Sequence, residues 1–178
     1  MTATAKAAQV SLLLFDVDGV LTDGKILVHG DGTESKRFDI RDGTALVWAR
    51  RAGLTVGLLS ARSSAATDQR ASQLGITLVR QGVASKLDTY SEILRDLQLT
   101  DERVAYMGDD VLDLPVLLRT GLSAAPADAM EDVRSRVDWV SGRNGGDGAA
   151  RELVELILRA RGSWTAILDE YLGEAART

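Results

Sequence analysis

The chain has 178 residues and a net charge of −5, from 21 basic and 26 acidic residues. This length suits one domain with its own core, and the acidic balance argues against a nucleic-acid binder, which normally carries a basic face. The absence of cysteine excludes disulfide bonds, thiolate metal sites and cysteine nucleophiles. Residues 1–9 lack the apolar centre of a signal peptide, and no apolar run is long enough to span a bilayer. We therefore expect a cytoplasmic protein with a disordered N-terminal segment.

Apolar runs alternate with helix-like segments along the chain. Residues 10–15 form a continuous apolar run that is typical of a buried parallel strand. The Gly-Asp-Gly turn at residues 30–32 predicts a β-hairpin over residues 25–40. Residues 42–52 have helical periodicity, with Asp42 as the predicted N-cap. The further predicted strands cover residues 54–59, 77–79, 104–107, 122–125 and 138–140, and the further predicted helices cover residues 63–74, 85–97, 111–119 and 147–161.

This alternation of strands and helices predicts an α/β fold with a doubly wound parallel sheet. The domain is expected to cover residues 10–161, with the hairpin protruding from it and a C-terminal tail over residues 162–178. In such sheets, ligands bind beyond the carboxyl ends of the strands. The chemistry of this protein should therefore reside in side chains that follow predicted strands.

Two carboxylates, Asp16 and Asp18, directly follow the first predicted strand. A carboxylate is repelled by a phosphate dianion unless a cation lies between them, and Mg²⁺ prefers oxygen ligands. With such a cation, one carboxylate can attack phosphorus. The other can protonate the leaving oxygen and later deprotonate water. This pair predicts a phosphoryl-transfer site.

A second acidic group, formed by Asp109, Asp110 and Asp113, follows the predicted strand at residues 104–107. Adjacent acids repel each other unless a cation lies among them. Together with Asp16, they make a plausible magnesium site, although either Asp109 or Asp110 can also cap a helix.

Ser60 and Lys86 are the candidate phosphate partners. Ser60 ends the predicted strand at residues 54–59 and can donate a hydroxyl hydrogen bond. Lys86 opens a predicted helix, and its ammonium group can offset the charge of the transferred phosphoryl group. The alternatives are a plain hydroxyl at a strand end and a solvated surface lysine.

The sequence resembles the phosphatases of the haloacid dehalogenase superfamily, because four motifs occur in the expected order. The segment DVDGVLTDG at residues 16–24 matches the first motif, Ser60 the second, Lys86 the third and the GDD at residues 108–110 the fourth. The resemblance implies a Rossmann-like fold and hydrolysis through an aspartyl-phosphate.

The resemblance also implies roles for individual residues. Asp16 would be the nucleophile and Asp18 the acid and base. The side chains of Asp16 and Asp109 and the backbone carbonyl of Asp18 would bind Mg²⁺. Asp110 or Asp113 would support the metal through water or the second ligand shell.

Only the hairpin follows the first motif, so the chain resembles the subgroup that lacks a cap domain. Within that subgroup, four segments are similar to the family of 3-deoxy-D-manno-octulosonate 8-phosphate phosphatases, which serve lipopolysaccharide synthesis in Gram-negative bacteria. These segments cover residues 38–43, 81–86, 104–117 and 145–152. By this resemblance, Arg62 favours an eight-carbon sugar acid phosphate. The eight-carbon enzymes carry arginine at this position, whereas relatives that act on nine-carbon sialic-type sugar 9-phosphates carry glutamate. Ala61 departs from the usual glycine. The candidate substrate-binding residues are Arg41, Gly43, Ala61 and Arg62.

The same resemblance implies a homotetramer in which the hairpins pair and a neighbouring subunit closes each open site. Pairing would also satisfy the exposed edges of the hairpin. Two other functions remain open. One is hydrolysis of a nine-carbon sugar 9-phosphate, and the other is a non-catalytic assembly module. No nucleic-acid or membrane partner is expected.

Overall fold

A computed structural model describes residues 1–175 and contains a six-stranded parallel sheet in the order β5-β4-β1-β6-β7-β8. The sheet strands are β1 (Leu12–Phe15), β4 (Thr55–Leu59), β5 (Leu78–Arg80), β6 (Val104–Met107), β7 (Leu122–Ala125) and β8 (Trp139–Val140), and the hairpin strands are β2 (Leu27–Val28) and β3 (Glu34–Ser35). The helices are α1 (Ala3–Ala7), α2 (Ile40–Arg51), α3 (Ala65–Gln73), α4 (Lys86–Leu97), α5 (Leu114–Leu117), α6 (Glu131–Arg134), α7 (Ala149–Ala160) and α8 (Trp164–Ala175). The predicted doubly wound fold is confirmed.

The core lies on both faces of the sheet, because the side chains of a strand alternate between its two faces. In β1, Leu13 and Phe15 pack into the cluster that contains the buried residues of α2 and α7. Leu12 and Leu14 pack into the other cluster, with the buried residues of α4 and α5. The central strand is therefore apolar on both sides, which explains its unbroken apolar run.

The hairpin is shorter than predicted, since only two residues pair on each strand. In the described part of the chain, this hairpin is the only element between β1 and α2, and no cap domain is present. Among the described residues, no helix is both long enough and apolar enough to cross a membrane.

Two terminal segments that were predicted to lie outside the domain pack onto it. Residues 3–7 form α1 instead of a disordered segment, and Ala7 and Val10 are fully buried in the core. The spacing of these small apolar residues lets α1 pack against α7. The tail begins with α8, whose Trp164 is buried edge-to-face against Trp48 of α2. Residues 176–178 lie outside the described part of the chain.

The predicted role of Asp42 as a helix cap is wrong for α2 and is replaced by another cap. Asp39 caps α2 by accepting hydrogen bonds from the backbone N–H groups of Arg41 and Asp42. Asp42 is buried instead, and its carboxylate accepts from the backbone N–H groups of Gly148 and Arg151 at the start of α7. Burial raises the pKa of Asp42 to about 6. The carboxylate thus joins two helices that are far apart in sequence.

The predicted helix over residues 111–119 is also different. It begins as a 3₁₀ turn at Val111–Asp113 and becomes α-helical only over Leu114–Leu117. Asp110 caps this turn and shares a reciprocal hydrogen-bond pair with Asp113. The pair places Asp113 beneath the strand end rather than on the surface.

Candidate active site

Three strand ends meet at the centre of the sheet. Asp16 follows β1, Ser60 follows β4, and Asp109 lies just beyond β6. Because β1 lies between β4 and β6 in parallel register, these side chains reach the same edge. They line a cavity of about 160 Å³. Its full lining is Asp16, Asp18, Ser60, Ala61, Arg62, Lys86, Asp109, Asp110, Leu112 and Asp113. The sequence therefore predicted most of this cavity.

A buried lysine joins the predicted nucleophile to a second carboxylate. The Lys86 Nζ atom lies 3.0 Å from Asp16 Oδ1 and 2.6 Å from Asp113 Oδ1. Ser85 caps α4 by accepting from the backbone N–H of Asp88, which fixes the position of Lys86 at the first helical residue. Burial lowers the pKa of Lys86, but the charges of Asp16 and Asp113 outweigh this effect and raise it. The ammonium group therefore stays charged beside Asp16.

Asp113 is fully buried and organises the floor of the cavity. One of its carboxylate oxygens accepts from Lys86 and from the Tyr106 hydroxyl group. The other accepts from the backbone N–H groups of Asp109 and Asp110, at 3.1 Å and 3.2 Å. With both oxygens engaged in this way, Asp113 positions Lys86 and the loop that carries Asp109.

Gly19 allows the loop after β1 to approach Asp109. Its φ of +90° lies in the region that favours glycine, and a Cβ atom built there would lie 2.0 Å from Asp109 Oδ2. The loop at residues 144–147 packs on the same turn, because a Cβ atom on Gly145 would lie 1.8 Å from the Gly19 carbonyl oxygen. The glycines of this second loop thus support the turn that carries Asp16 and Asp18.

The acidic cluster has the chemistry of a divalent cation site. Carboxylate oxygens of Asp16, Asp109 and Asp113 lie within 4.8 Å of one another, and Asp109 Oδ1 is buried without a hydrogen-bond partner. When all three are ionised, Lys86 offsets one of their charges and an excess of two negative charges remains. Oxygen ligands and this excess charge both suit Mg²⁺.

Burial and mutual repulsion strongly perturb this cluster. Burial, aided by the charge of Asp113, raises the pKa of Asp16 to about 7, although Lys86 opposes the shift. Burial and the charges of Asp16 and Asp113 raise the pKa of Asp109 to about 8. In the absence of a cation, the two side chains therefore hold protons that ordinary aspartates release near pH 4.

We expect Mg²⁺ to stabilise the protein more at pH 8.5 than at pH 6. Without metal, the raised pKa values of Asp16 and Asp109 mean that stability falls as pH rises from about 4, the ordinary aspartate pKa, to about 8, because over this range the folded state binds more protons than the unfolded state. At pH 8.5 the ligands are deprotonated, so Mg²⁺ need not displace protons. Thermal unfolding with EDTA and with Mg²⁺ at both pH values measures the effect.

The matched control is Asp109→Asn, which keeps the shape of the side chain and removes one proposed ligand. This variant should lose most of the Mg²⁺-dependent increase in Tm at pH 8.5. An equal increase in Tm for wild type at the two pH values would contradict the linkage of metal binding to these carboxylates.

Asp18 lies beside a lysine that the sequence did not single out as a site residue. The Lys36 Nζ atom lies 2.8 Å from both carboxylate oxygens of Asp18. Arg62 is further away, with Nε 3.7 Å from Asp18 Oδ2, and it pairs with Glu34 at 3.0 Å. Glu34 lies in β3 and Lys36 directly follows this strand. In an extended backbone, side chains two residues apart point to the same face. That spacing was the sequence signal for this contact.

Arg41 and Gly43, which were predicted to bind substrate, do not line this cavity. Arg41 pairs with Asp39 at 2.8 Å and Asp147 at 2.6 Å, beside a separate cavity of about 700 Å³. Gly43 is buried in α2, where a Cβ atom would lie 2.3 Å from a guanidinium nitrogen of Arg70. Within one chain, therefore, Arg41 and Gly43 make contacts away from this cavity.

The remaining predicted site residues line the cavity, where a ligand can reach them. Ser60 is buried, and its hydroxyl group accepts from the backbone N–H of Arg62, which leaves its proton available to a ligand. Ala61 and Arg62 are exposed at the cavity mouth. Asp110 is exposed and acts as the cap described above, in addition to lining the cavity.

Three comparisons with known proteins agree with one another. A family model for haloacid dehalogenase-like hydrolases matches residues 76–153. The chain is 41% identical over 171 residues to the 3-deoxy-D-manno-octulosonate 8-phosphate phosphatase KdsC of Escherichia coli K12, covering 96% of this chain and 89% of that protein.

Solved structures agree with the sequence relatives. A probable YrbI family phosphatase from Pseudomonas syringae superposes with a TM-score of 0.94 at 42% identity, covering 96% of this chain and 97% of that chain. The 3-deoxy-D-manno-octulosonate 8-phosphate phosphatase of Moraxella catarrhalis, solved with magnesium, phosphate and KDO, gives a TM-score of 0.93 at 34% identity, with coverages of 95% and 97%. With its fold, its strand-end carboxylates and these relatives, the chain belongs to the 3-deoxy-D-manno-octulosonate 8-phosphate phosphatase family of haloacid dehalogenase-like hydrolases.

Proposed function

We propose that this protein is a magnesium-dependent phosphatase that hydrolyses 3-deoxy-D-manno-octulosonate 8-phosphate to the free sugar acid and phosphate. The observation that carries the phosphatase assignment is the buried Lys86 ammonium group 3.0 Å from Asp16, beside the acidic cluster that suits Mg²⁺. The family relatives support the choice of substrate. Release of phosphate from a panel of sugar acid phosphates, with Mg²⁺ and with EDTA, tests the proposal.

In the proposed mechanism, an Asp16 oxygen attacks phosphorus and the bond to the sugar oxygen breaks. Asp18 gives its proton to the departing oxygen, so the sugar leaves as an alcohol. Water then attacks the aspartyl-phosphate, Asp18 takes a proton from it, and Asp16 is released with inorganic phosphate. Lys86 and the Ser60 hydroxyl group line the same cavity and would contact the phosphoryl oxygens. Bound Mg²⁺ would reduce the repulsion between the carboxylates and the phosphate.

Arg62 is the proposed ligand for the sugar acid. Its side chain is 54% exposed at the cavity mouth and is held by Glu34 on the hairpin. A guanidinium group can bind a carboxylate through two parallel hydrogen bonds, which suits an acid substrate.

We expect Arg62→Glu to lower kcat/KM for the eight-carbon substrate by roughly a hundredfold, because it removes the cation and introduces repulsion. Activity on p-nitrophenyl phosphate, which has no carboxylate, should change far less. Steady-state assays on both substrates measure this difference. If the ratio of kcat/KM values for the two substrates is the same in the variant and in wild type, Arg62 is no argument for the eight-carbon substrate.

Two other functions are distinguished by the same assays. A nine-carbon sugar 9-phosphate would be preferred in the panel if the protein served sialic-type sugars, but Arg62 argues for the eight-carbon acid. A non-catalytic assembly module would release no phosphate from any ester, and the intact set of Asp16, Asp18, Lys86 and Asp109 argues against it.

We further propose a cytoplasmic homotetramer assembled through the hairpins. Leu27 and Val28 on the hairpin are 63% and 72% exposed, which is unfavourable for apolar side chains on a two-stranded sheet. The open cavity would also gain shielding from a neighbouring subunit. Light scattering on the purified protein tests the assembly, and a monomeric mass at assay concentration would contradict it.

A further inference from the structure

The hairpin segment reaches Asp18 through a lysine whose side chain is completely buried. Lys36 follows β3, and its side chain has 0% exposed area. Its ammonium group lies 2.8 Å from both oxygens of Asp18 and 3.5 Å from the Thr67 hydroxyl group on α3. A buried ammonium group requires a partner of opposite charge, and in the unliganded protein that partner is the ionised form of Asp18, the proposed acid and base.

The two partners reach each other from different parts of the fold. Asp18 lies on the loop after β1, whereas Lys36 lies on the segment that leads from the hairpin into α2. The neighbouring pair of Glu34 and Arg62 fastens the same hairpin face to the loop after β4. The hairpin is therefore attached to the active site at two points, and one of them is Asp18 itself.

The Lys36 ammonium group donates a hydrogen bond to Asp18 Oδ2, and Nζ also lies 2.8 Å from Oδ1, which has no hydrogen-bond partner in the described part of the chain. This contact restricts rotation about the side-chain bonds of Asp18. A carboxylate can transfer a proton to the leaving oxygen only from a defined position, and displacement by 1 Å can cost about a hundredfold in rate. An unrestrained Asp18 side chain, which is 17% exposed, would sample several rotamers.

We propose that Lys36 is a positioning residue that holds Asp18 in the orientation needed for proton transfer to the leaving group. The proposal rests on the phosphatase mechanism proposed above and extends it to the hairpin. Lys36 touches neither phosphorus nor the leaving oxygen in this assignment. It acts through Asp18.

The test compares two esters that differ in their need for a proton. A sugar leaves as a poor alkoxide and needs protonation, whereas p-nitrophenolate leaves readily without it. The constant kcat/KM reports the steps up to formation of the phosphoryl-enzyme. Comparing kcat/KM between the two esters therefore isolates the role of Asp18 as an acid. We expect Lys36→Met to lower kcat/KM by about tenfold or more on the sugar acid phosphate and by less than about threefold on p-nitrophenyl phosphate.

Two further variants make the assignment specific. Lys25→Met removes an exposed lysine from the same hairpin and should leave both activities unchanged. In an Asp18→Asn background, Lys36→Met should have no additional effect on the sugar ester, because residues that act as a unit are not additive. Equal losses on both esters, or a full additional loss in the Asp18→Asn background, would overturn the proposal.

Chemical rescue separates the ammonium group from the packing of its side chain. Since the chain has no cysteine, Lys36→Cys introduces a single thiol. Alkylation in denaturant with bromoethylamine restores an ammonium group near the position of Nζ, whereas iodoacetamide gives a neutral side chain. After refolding, with wild type carried through the same steps, only the first product should recover activity on the sugar ester. Equal activity of the two products would exclude a role for the charge.

The outcome also separates this proposal from the choice of substrate. If wild type hydrolyses another alkyl phosphate and not the octulosonate ester, the substrate assignment fails, and the Lys36 comparison is made on that alkyl ester. If wild type hydrolyses the octulosonate ester and Lys36→Met affects both esters equally, the positioning role alone fails.

Discussion

Replacing Asp16 with asparagine is expected to lower turnover on the order of 10⁴-fold or more, because the amide cannot form the phosphoryl-enzyme. The substitution keeps the size of the side chain at the end of β1. The raised pKa of Asp16 means that its ionised form is disfavoured by burial, so the neutral variant should be at least as stable as wild type at pH 8 without Mg²⁺. Phosphate release and urea unfolding in EDTA measure the two effects.

A matched control is Asp96→Asn, which makes the same chemical change at an exposed position of α4. It should leave turnover and the free energy of unfolding unchanged. Substantial residual turnover in Asp16→Asn, once contamination is excluded by the control preparation, would remove Asp16 from the role of nucleophile. A large loss of stability would instead indicate that Asp16 is needed for folding.

The second large effect is expected for Asp113→Ala, which should lower the free energy of unfolding by about 3–5 kcal/mol, because several buried donors lose their acceptor at a cost of about 1–3 kcal/mol each. The substitution leaves the buried Lys86 ammonium group with Asp16 alone, and it removes the acceptor of the Tyr106 hydroxyl group. The backbone N–H groups of Asp109 and Asp110 also lose their acceptor. Activity should fall as well, because Lys86 and Asp109 lose their shared support.

Asp110→Ala is the natural comparison, since Asp110 lies on the same turn but is exposed and caps it. Loss of such a cap costs about 1 kcal/mol. Urea denaturation of both variants in EDTA would give the difference directly. A cost for Asp113→Ala no larger than that for Asp110→Ala would show that the buried hydrogen bonds of Asp113 contribute little to folding.

Much of the candidate site could be predicted because its residues follow strands. Asp16, Ser60 and Asp109 are ordered along the chain, and the rule that parallel strands end at one edge brings them together. Lys86 could be predicted from its position at a capped helix start. These inferences need only local patterns and one topological rule.

Other features could not be predicted, because they depend on contacts between distant segments. Asp42 is of a residue type that often caps the helix in which it lies, yet its carboxylate accepts hydrogen bonds from the start of α7, more than a hundred residues further along the chain. Residues 3–7 have little apolar area of their own, and their order depends on packing against α7. A pattern within one segment carries no information about the partner it will meet.

The sequence by itself determined the parallel fold, the strand-end carboxylates and the kind of chemistry they support. Periodicity and residue type are local properties that can be seen in the sequence, and the four ordered motifs are enough to indicate the fold and its chemistry. The tertiary structure alone decided that Asp113 organises Lys86 and that Lys36 reaches Asp18 from the hairpin. Both arrangements follow from burial, because a charge removed from water is stable only beside the partner that the fold brings to it.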